Sequence, residues 1–378
     1  MRQTAPHTQE FQVSPSRFED HHTELASIAH RGAKPASSPD SRTEALRTLF
    51  AKLFPPQLQT ALAQARRIIL SPDDFLWDLP FAALITNATG PPEYLGLQKP
   101  LSYAQSLTLA LPSLPTGAAG TGVLIVGNPV YDLDRRAALI AKATSKQSAR
   151  PVVPASGAKP PASVASLRRN AELRALTRDG NAPPQLPDAQ KEAEQVAREY
   201  KTKAHTGVEP TEAWFRQRVG QANVIHLATH GLYNPDAPQS SGVLLAVPEK
   251  MPALGRFDND GTLQAWEVWS LKLNADLVVL SACETGRGKK VTGEGLIGLT
   301  RAWQYAGART IVSSLWKVSD SGTAALMTAF HKRLRAGDEK DSALMHAMKL
   351  VAGSGTGDWS DPHHWAAFVL VGDTGKMR

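Results

Sequence analysis

Cysteine is nearly absent from this chain: Cys283 is the only one among 378 residues. A single thiol closes no disulfide within the chain, so the composition excludes a disulfide-held scaffold and suits a reducing, cytoplasmic setting. Long apolar runs are missing too. No stretch reaches the ~18 consecutive apolar residues of a membrane-crossing helix, and Met1 to Arg31 has no apolar core of signal-peptide length. No membrane association is expected. Aromatic residues are scarce, at 6%, and that scarcity bears on the charge. A net charge of +7 with a pI near 9.4 invites a nucleic-acid partner. Ten cations against four anions between Tyr131 and Pro187 carry nearly all of that excess, in a stretch rich in Ala, Pro and Ser with almost no aromatic to stack on a base. It reads as a solvated basic insertion, and no nucleic-acid partner is expected.

What is present is enough apolar content, 42%, for a substantial core. Residues 1–40 read as a flexible tail ending in Pro35-Ala-Ser-Ser-Pro39, residues 41–64 as a helical lead-in, and 65–378 as one domain interrupted by the basic insertion over 131–187. Arg66 to Leu70 and Gly122 to Gly127 read as strands. After the insertion, Asp188 is suited to cap an amphipathic helix, Ala189 to Tyr200, with Glu192 in its first turn. Lys203 to Thr206 reads as a strand, Glu212 to Val219 as a helix, and Ser241 to Leu263 as a small hairpin excursion. Helices over 295–306, 320–334 and 342–351, a strand over 310–315 and a last strand over 365–371 complete the pattern. Strands alternating with helices indicate an α/β fold with a mostly parallel central sheet flanked by helices.

Two strands organise the rest. Leu277 to Leu280 is a short apolar, β-branched run, the pattern of a fully buried parallel strand, and Cys283 stands at its carboxyl end in Ser281-Ala-Cys-Glu-Thr-Gly286. Ala222 to Gly231 is a second such strand, with His230 just before its terminal glycine. In open parallel sheets the carboxyl rim is where ligands bind. If the strands are adjacent, His230 and Cys283 emerge there side by side. They are 53 residues apart, close to the histidine-to-cysteine interval of about 50 in caspase-type peptidases.

Other patterns in the sequence carry less. His226 and His230 have the H-x-x-x-H spacing of a zinc helix, but on a strand residues four apart lie ~13 Å from each other, too far for one metal. His226 then reads as a packed or hydrogen-bonded strand residue, and no metal or other cofactor is expected. Gly293-Glu-Gly-Leu-Ile-Gly298 is formally G-x-G-x-x-G, yet about ten residues separate it from the strand end, where a dinucleotide fingerprint needs its first glycine. Its glycines read instead as shaping a mobile loop beside Cys283. His363 and His364 read as surface or strand-edge residues, and Asp320 as a helix cap.

Taken together, His226-Leu-Ala-Thr-His-Gly231, Leu277 to Gly286, Gly293-Glu-Gly295, Ala306-Gly-Ala-Arg309, Ser314-Leu-Trp316 and His364 to Leu370 resemble the CHAT family. These are caspase-like cysteine peptidases related to separase, and the resemblance covers residues from about 65 to about 374. It implies a caspase-haemoglobinase-like three-layer sandwich and an endopeptidase of bacterial defence or regulated cell death, with a protein substrate. It also implies that His230 is the general base, that Cys283 is the nucleophile, and that the backbone N–H groups of Gly231 and Cys283 form the oxyanion hole. No third catalytic group is identifiable. Ser281, two before the cysteine, is neutral where relatives that cut after Arg or Lys tend to carry Asp, so a small or apolar residue is expected before the cleaved bond. Ser314, Leu315 and Trp316 are expected to meet substrate, by strand addition and by a tryptophan wall. The bland alternative is that Trp316 packs in the core. Family members often carry helical repeats that receive a signal. With only ~60 residues ahead of the first strand, a separate activating or sensor chain is expected, acting on the loops around Cys283, as cutting within the 131–187 insertion also would. The competing reading is a caspase-like scaffold without turnover. Nothing in the sequence addresses oligomeric state.

Overall fold

Short β-branched runs become the centre of one sheet, and the helices between them cover its two faces. The computed structural model describes residues 39–105, 119–147, 183–232, 237–252, 259–284, 294–316, 318, 320–355 and 359–378. Of the expected tail, 1–40, residues 1–38 lie outside the described residues, whereas Pro39 and Asp40 already open a helix, and residues 148–182 of the basic stretch lie outside the described residues as well. The chain enters through α1 (Pro39–Leu53) and α2 (Pro56–Gln64), then β1 (Ile68–Leu70), α3 (Leu95–Gln98), β2 (Leu101–Tyr103) and β3 (Gly122–Pro129). Next come α4 (Leu133–Gln147), α5 (Pro187–Glu199), β4 (His205–Gly207), α6 (Glu212–Val219) and β5 (Ala222–Leu232). The small excursion is β6 (Gly242–Leu244) and β7 (Thr262–Gln264), followed by α7 (Ala265–Val268). The chain closes with β8 (Leu277–Glu284), α8 (Glu294–Tyr305), β9 (Thr310–Ser314), α9 (Asp320–Arg335), α10 (Lys340–Ala352) and β10 (Phe368–Gly372).

Among the described residues ten strands form one sheet in the order β1-β2-β10-β9-β8-β5-β3-β4, with β6 on the end of β5 and β7 on β6. The sheet is mixed. From β9 through β8, β5 and β3 to β4 every pair is parallel, whereas β9 with β10, β5 with β6 and β6 with β7 are antiparallel. Side chains alternate across each strand, so each face builds its own core. On one face Val224, Ala228, Val279 and Val312 meet Ala193 and Val196 of α5 and Met327 and Phe330 of α9. On the other Ile225, Leu227, Val278, Leu280 and Ile311 meet Phe215 of α6 and Trp303 of α8. Phe330 and Trp303 are fully buried, and a buried side chain of that size contributes roughly 1.5–3 kcal/mol or more. No helix among the described residues is long and apolar enough to cross a membrane.

Gly127 sets how closely α5 lies on the sheet. A Cβ at that position would come within 2.4 Å of the Ala193 Cβ and 2.9 Å of the Ala189 carbonyl oxygen, so only a residue without a side chain admits this approach. The helix start differs from the sequence expectation. Asp188 is not the cap: α5 begins at Pro187, with Leu186 in the cap position, and Asp188 pairs with exposed Lys191. The Leu186 N–H donates instead to Asn128 Oδ1 at 2.7 Å, which ties the helix start to the end of β3. Glu192 does not serve the helix terminus either. It is buried against the sheet, where a hydrogen bond described below accounts for it.

The stretch expected as a solvated insertion is partly built. Tyr131 is buried, α4 occupies 133–147, and Arg136 on α4 donates to the carbonyl oxygens of Val208 and Val247.

Candidate active site

β5 and β8 are parallel neighbours in continuous register from Val224 with Leu277 to Gly231 with Glu284, and in that register His230 is the partner of Cys283. Adjacent strands lie about 4.8 Å apart, so the two residues sit side by side at the carboxyl ends of central strands. His230 is buried, and its imidazole is gripped from two directions. Nε2 lies 2.7 Å from the Pro184 carbonyl oxygen, a pure acceptor, so Nε2 carries the proton and Nδ1 is the basic atom of the neutral ring. The Tyr131 ring meets the imidazole edge-on, with centroids 5.0 Å apart and planes at 62°. Pro184 and Tyr131 lie near the two ends of the basic stretch, so that stretch leaves and returns at the histidine.

Gly231 is half-buried and lies in two ladders, paired with Val243 of β6 and Glu284 of β8. A Cβ there would lie 3.2 Å from the Ala282 carbonyl oxygen and 3.4 Å from the Ala282 Cβ. A side chain at 231 therefore presses on β8 immediately before Cys283.

Ser281 is buried on β8, and its Oγ makes no hydrogen bond to a described residue. Ser314 ends β9, paired with Phe368, and the Leu315 N–H donates to the Ala367 carbonyl at 2.8 Å. The expected edge for strand addition is thus already occupied on that side by β10 and the residues before it. Trp316 is partly buried against the core. Its ring N–H donates to the His363 carbonyl at 3.0 Å, and its ring stacks on the His363 imidazole at 6.1 Å. Burial, joined by the charge of neighbouring His364, pulls the His363 pKa below its ordinary value.

The glycine pattern is not the loop expected of it. Gly293 lies outside the described residues, whereas Gly295 and Gly298 fall inside α8. Asp320 is the first residue of α9.

His226 is the packed, hydrogen-bonded strand residue expected, and it heads a buried polar chain whose other members the sequence did not suggest. Its Nε2 is 3.0 Å from Glu192 Oε1, its Nδ1 is 3.1 Å from His331 Nε2, and His331 Nδ1 is 2.9 Å from the Tyr200 hydroxyl. Donation from Tyr200 to His331, to His226 and to Glu192 satisfies each of these contacts without a proton on His331 Nδ1. Arg335 lies over the Tyr200 ring, and Phe330 packs against His331. Burial, reinforced by the charge of His226, drives the His331 pKa well below 6.5. Folded His331 therefore binds fewer protons than unfolded His331 below about pH 6.5. Its contribution is intact above that pH and is lost as pH falls below it, by up to ~1.4 kcal/mol per pH unit. The drop in the urea midpoint from pH 7.5 to 5.5 is expected to be smaller in His331→Asn than in the wild type; equal drops contradict this role.

The family described as the CHAT domain matches residues 43–373 of this chain. Among curated proteins, the chain is 30% identical over 218 residues to tetratricopeptide repeat protein 28 of Homo sapiens. It is 28% identical, over the same length, to tetratricopeptide repeat protein 28 of Mus musculus. The aligned part is 51% of this chain, and the chain spans about 9% of the length of these relatives.

Proposed function

We propose, from the premise that this chain belongs to the CHAT domain family, that it is a caspase-like cysteine endopeptidase in which His230 activates Cys283. The observation that carries the reading is the register of β5 with β8, which pairs these two residues at the carboxyl rim. Register partners on parallel strands share a face of the pleat, so positions 230 and 283 lie on one face of the sheet at this rim. The mixed sheet with a helical core on each face supports the three-layer caspase-haemoglobinase architecture.

The chemistry follows from the histidine's tautomer. Nε2–H is committed to the Pro184 carbonyl, so Nδ1 takes the thiol proton and the thiolate attacks the scissile carbonyl. The oxyanion that forms accepts hydrogen bonds from the backbone N–H groups of Gly231 and Cys283, and losing one such donor costs about 3–4 kcal/mol. The imidazolium returns its proton to the leaving amine, and the thioester is hydrolysed by a water that the same nitrogen deprotonates. The Pro184 carbonyl orients the ring throughout, a part that a backbone atom plays without any signature in the sequence.

Ser281 lines the pocket for the residue before the cleaved bond. A buried hydroxyl with no partner among the described residues is a group a substrate can satisfy. Being neutral, it offers nothing to an Arg or Lys, and a small or apolar residue is favoured there. Trp316 is proposed to wall this region. Pairing of substrate with the backbone of Ser314 and Leu315 is not, because β10 and the residues before it engage that backbone. The biological setting is proposed to be defence or regulated cell death, with activation by a separate chain. That two curated relatives are named for tetratricopeptide repeats supports a helical-repeat partner.

A thiol-reactive peptidyl probe series, varied at the residue before the reactive group, tests both parts. Wild type is expected to be labelled and Cys283→Ala not, with probes carrying Ala or Leu outpacing those carrying Arg at least tenfold. Strict preference for Arg overturns the pocket assignment. Absence of labelling, together with no new amino termini in a proteome exposed to the activated chain, points to a scaffold.

A further inference from the structure

We infer that Tyr131 is a positioning residue for His230, holding the imidazole in the orientation that presents Nδ1 to the cysteine. This rests on the cysteine-peptidase reading and adds to it a residue outside the family's motifs. Tyr131 lies just beyond β3, is 1% exposed, and belongs to a small apolar cluster with Leu232 and Leu244 at the rim. A phenol enclosed this way at the end of the strand pair needs its hydroxyl satisfied, and the partners found are informative. The Tyr131 hydroxyl is 3.2 Å from Thr229 Oγ1, and Thr229 Oγ1 donates its only proton to the Leu244 carbonyl at 2.7 Å. Tyr131 is therefore the donor to Thr229. The backbone N–H of His230 in turn donates to the tyrosine oxygen. The hydroxyl is thus pinned to the side chain of 229 and the main chain of 230, while the ring lies edge-on to the His230 imidazole at 5.0 Å.

Rotation of that imidazole breaks two contacts at once, the edge contact with Tyr131 and the Nε2–H donation to Pro184. The Pro184 carbonyl fixes which nitrogen bears the proton, and the tyrosine fixes the plane of the ring. Neither is sufficient alone, since one hydrogen bond leaves a ring free to swing about it.

The test uses the full chain and its single thiol. Iodoacetamide alkylation of Cys283 is followed against pH in wild type, Tyr131→Phe, Tyr131→Leu and His230→Ala. Imidazole ¹⁵N spectra are recorded in parallel, and the His230 signal is assigned by its loss in His230→Ala. Tyr131→Phe keeps the ring and is expected to slow alkylation at neutral pH about threefold; Tyr131→Leu is expected to slow it at least tenfold and to move the profile toward that of His230→Ala. Tyr131→Leu, which loses the ring that holds the imidazole toward Pro184, is expected to show a second His230 tautomer beside the Nε2–H form. If both variants keep the wild-type profile and a pure Nε2–H tautomer while His230→Ala loses the profile, Tyr131 is structural only and the dyad stands. If His230→Ala also keeps the wild-type profile, the dyad and this inference fall together. Should Tyr131→Leu not fold, Tyr131→Met, which also lacks the ring, is read in its place with the same two outcomes.

Discussion

Replacing His230 with alanine is expected to lower kcat/KM on a cleaved peptide by about 10²–10⁴-fold, the range for losing a general base, with the fold retained. The magnitude follows from the two stages proposed for the imidazole, taking the thiol proton and then supplying one to the leaving amine. Its own contribution to stability is small by comparison. The ring stands at the end of β5, where it meets Tyr131 and the Pro184 carbonyl, whereas β5 is held by ladders to β3 and β8 along its length. Steady-state kinetics with urea unfolding of the same preparation separates the two effects. A kcat/KM within threefold of wild type in a folded variant removes His230 from the chemistry.

The second large effect is on stability, at the opposite rim. Lys340, the first residue of α10, is fully buried, with Nζ 3.3 Å from Asp276 Oδ1 and 3.0 Å from Asp373 Oδ2. Arg309 pairs with the same two carboxylates, and the Arg378 N–H donates to Asp276 at 2.7 Å. Burial by itself raises the Asp373 pKa, but the Lys340 charge and the Arg309 hydrogen bond outweigh it and bring it down to about 2. Lys340→Met fills the space but leaves the two carboxylates with only the Arg309 guanidinium and that of partly exposed Arg378, 3.9 Å from Asp276, and breaking a buried pair this way costs about 3–5 kcal/mol. The urea midpoint is expected to fall accordingly, and adding Asp373→Asn is expected to recover part of the loss, because partners in one network couple. A cost under about 1 kcal/mol means that Arg309 and Arg378 balance the cluster without the lysine. The proposed peptidase activity per folded molecule is expected to stay unchanged, since this rim is the far one.

Much of the architecture was legible because central strands and amphipathic helices carry their periodicity openly. The apolar run at 277–280 and the span from Ala222 to Gly231 both became strands, β8 and β5. Glu212–Val219 starts and stops where the pattern places it, with the Thr211 hydroxyl accepting from the Trp214 N–H as cap. Among the elements of a few residues, β1 and β4 overlap the strands read at 66–70 and 203–206, but β2, Leu101–Tyr103, was not legible, because three residues hold no periodicity. The last strand begins at Phe368 rather than Trp365. Trp365, Ala366 and Ala367 are buried beside it, and burial rather than strand geometry made them apolar. Charge hid α4, whose Asp134, Arg135 and Arg136 read as an exposed loop although Arg136 is spent on two carbonyls. At the candidate site the motif residues were readable, but their supports were not. The Pro184 oxygen belongs to the backbone, Tyr131 reaches His230 through space from beyond the end of β3, and Glu192 looked like a helix-start acid until the fold set it against His226.

The thiolate of Cys283 can be titrated without interference, because the chain has no other cysteine. Its ultraviolet absorbance against pH, in wild type and in His230→Ala, tests the shared rim most directly. The account predicts a wild-type thiol that ionises well below the free value of about 8.5 and returns to about 8.5 when the imidazole is gone. Identical titrations in the two proteins contradict it.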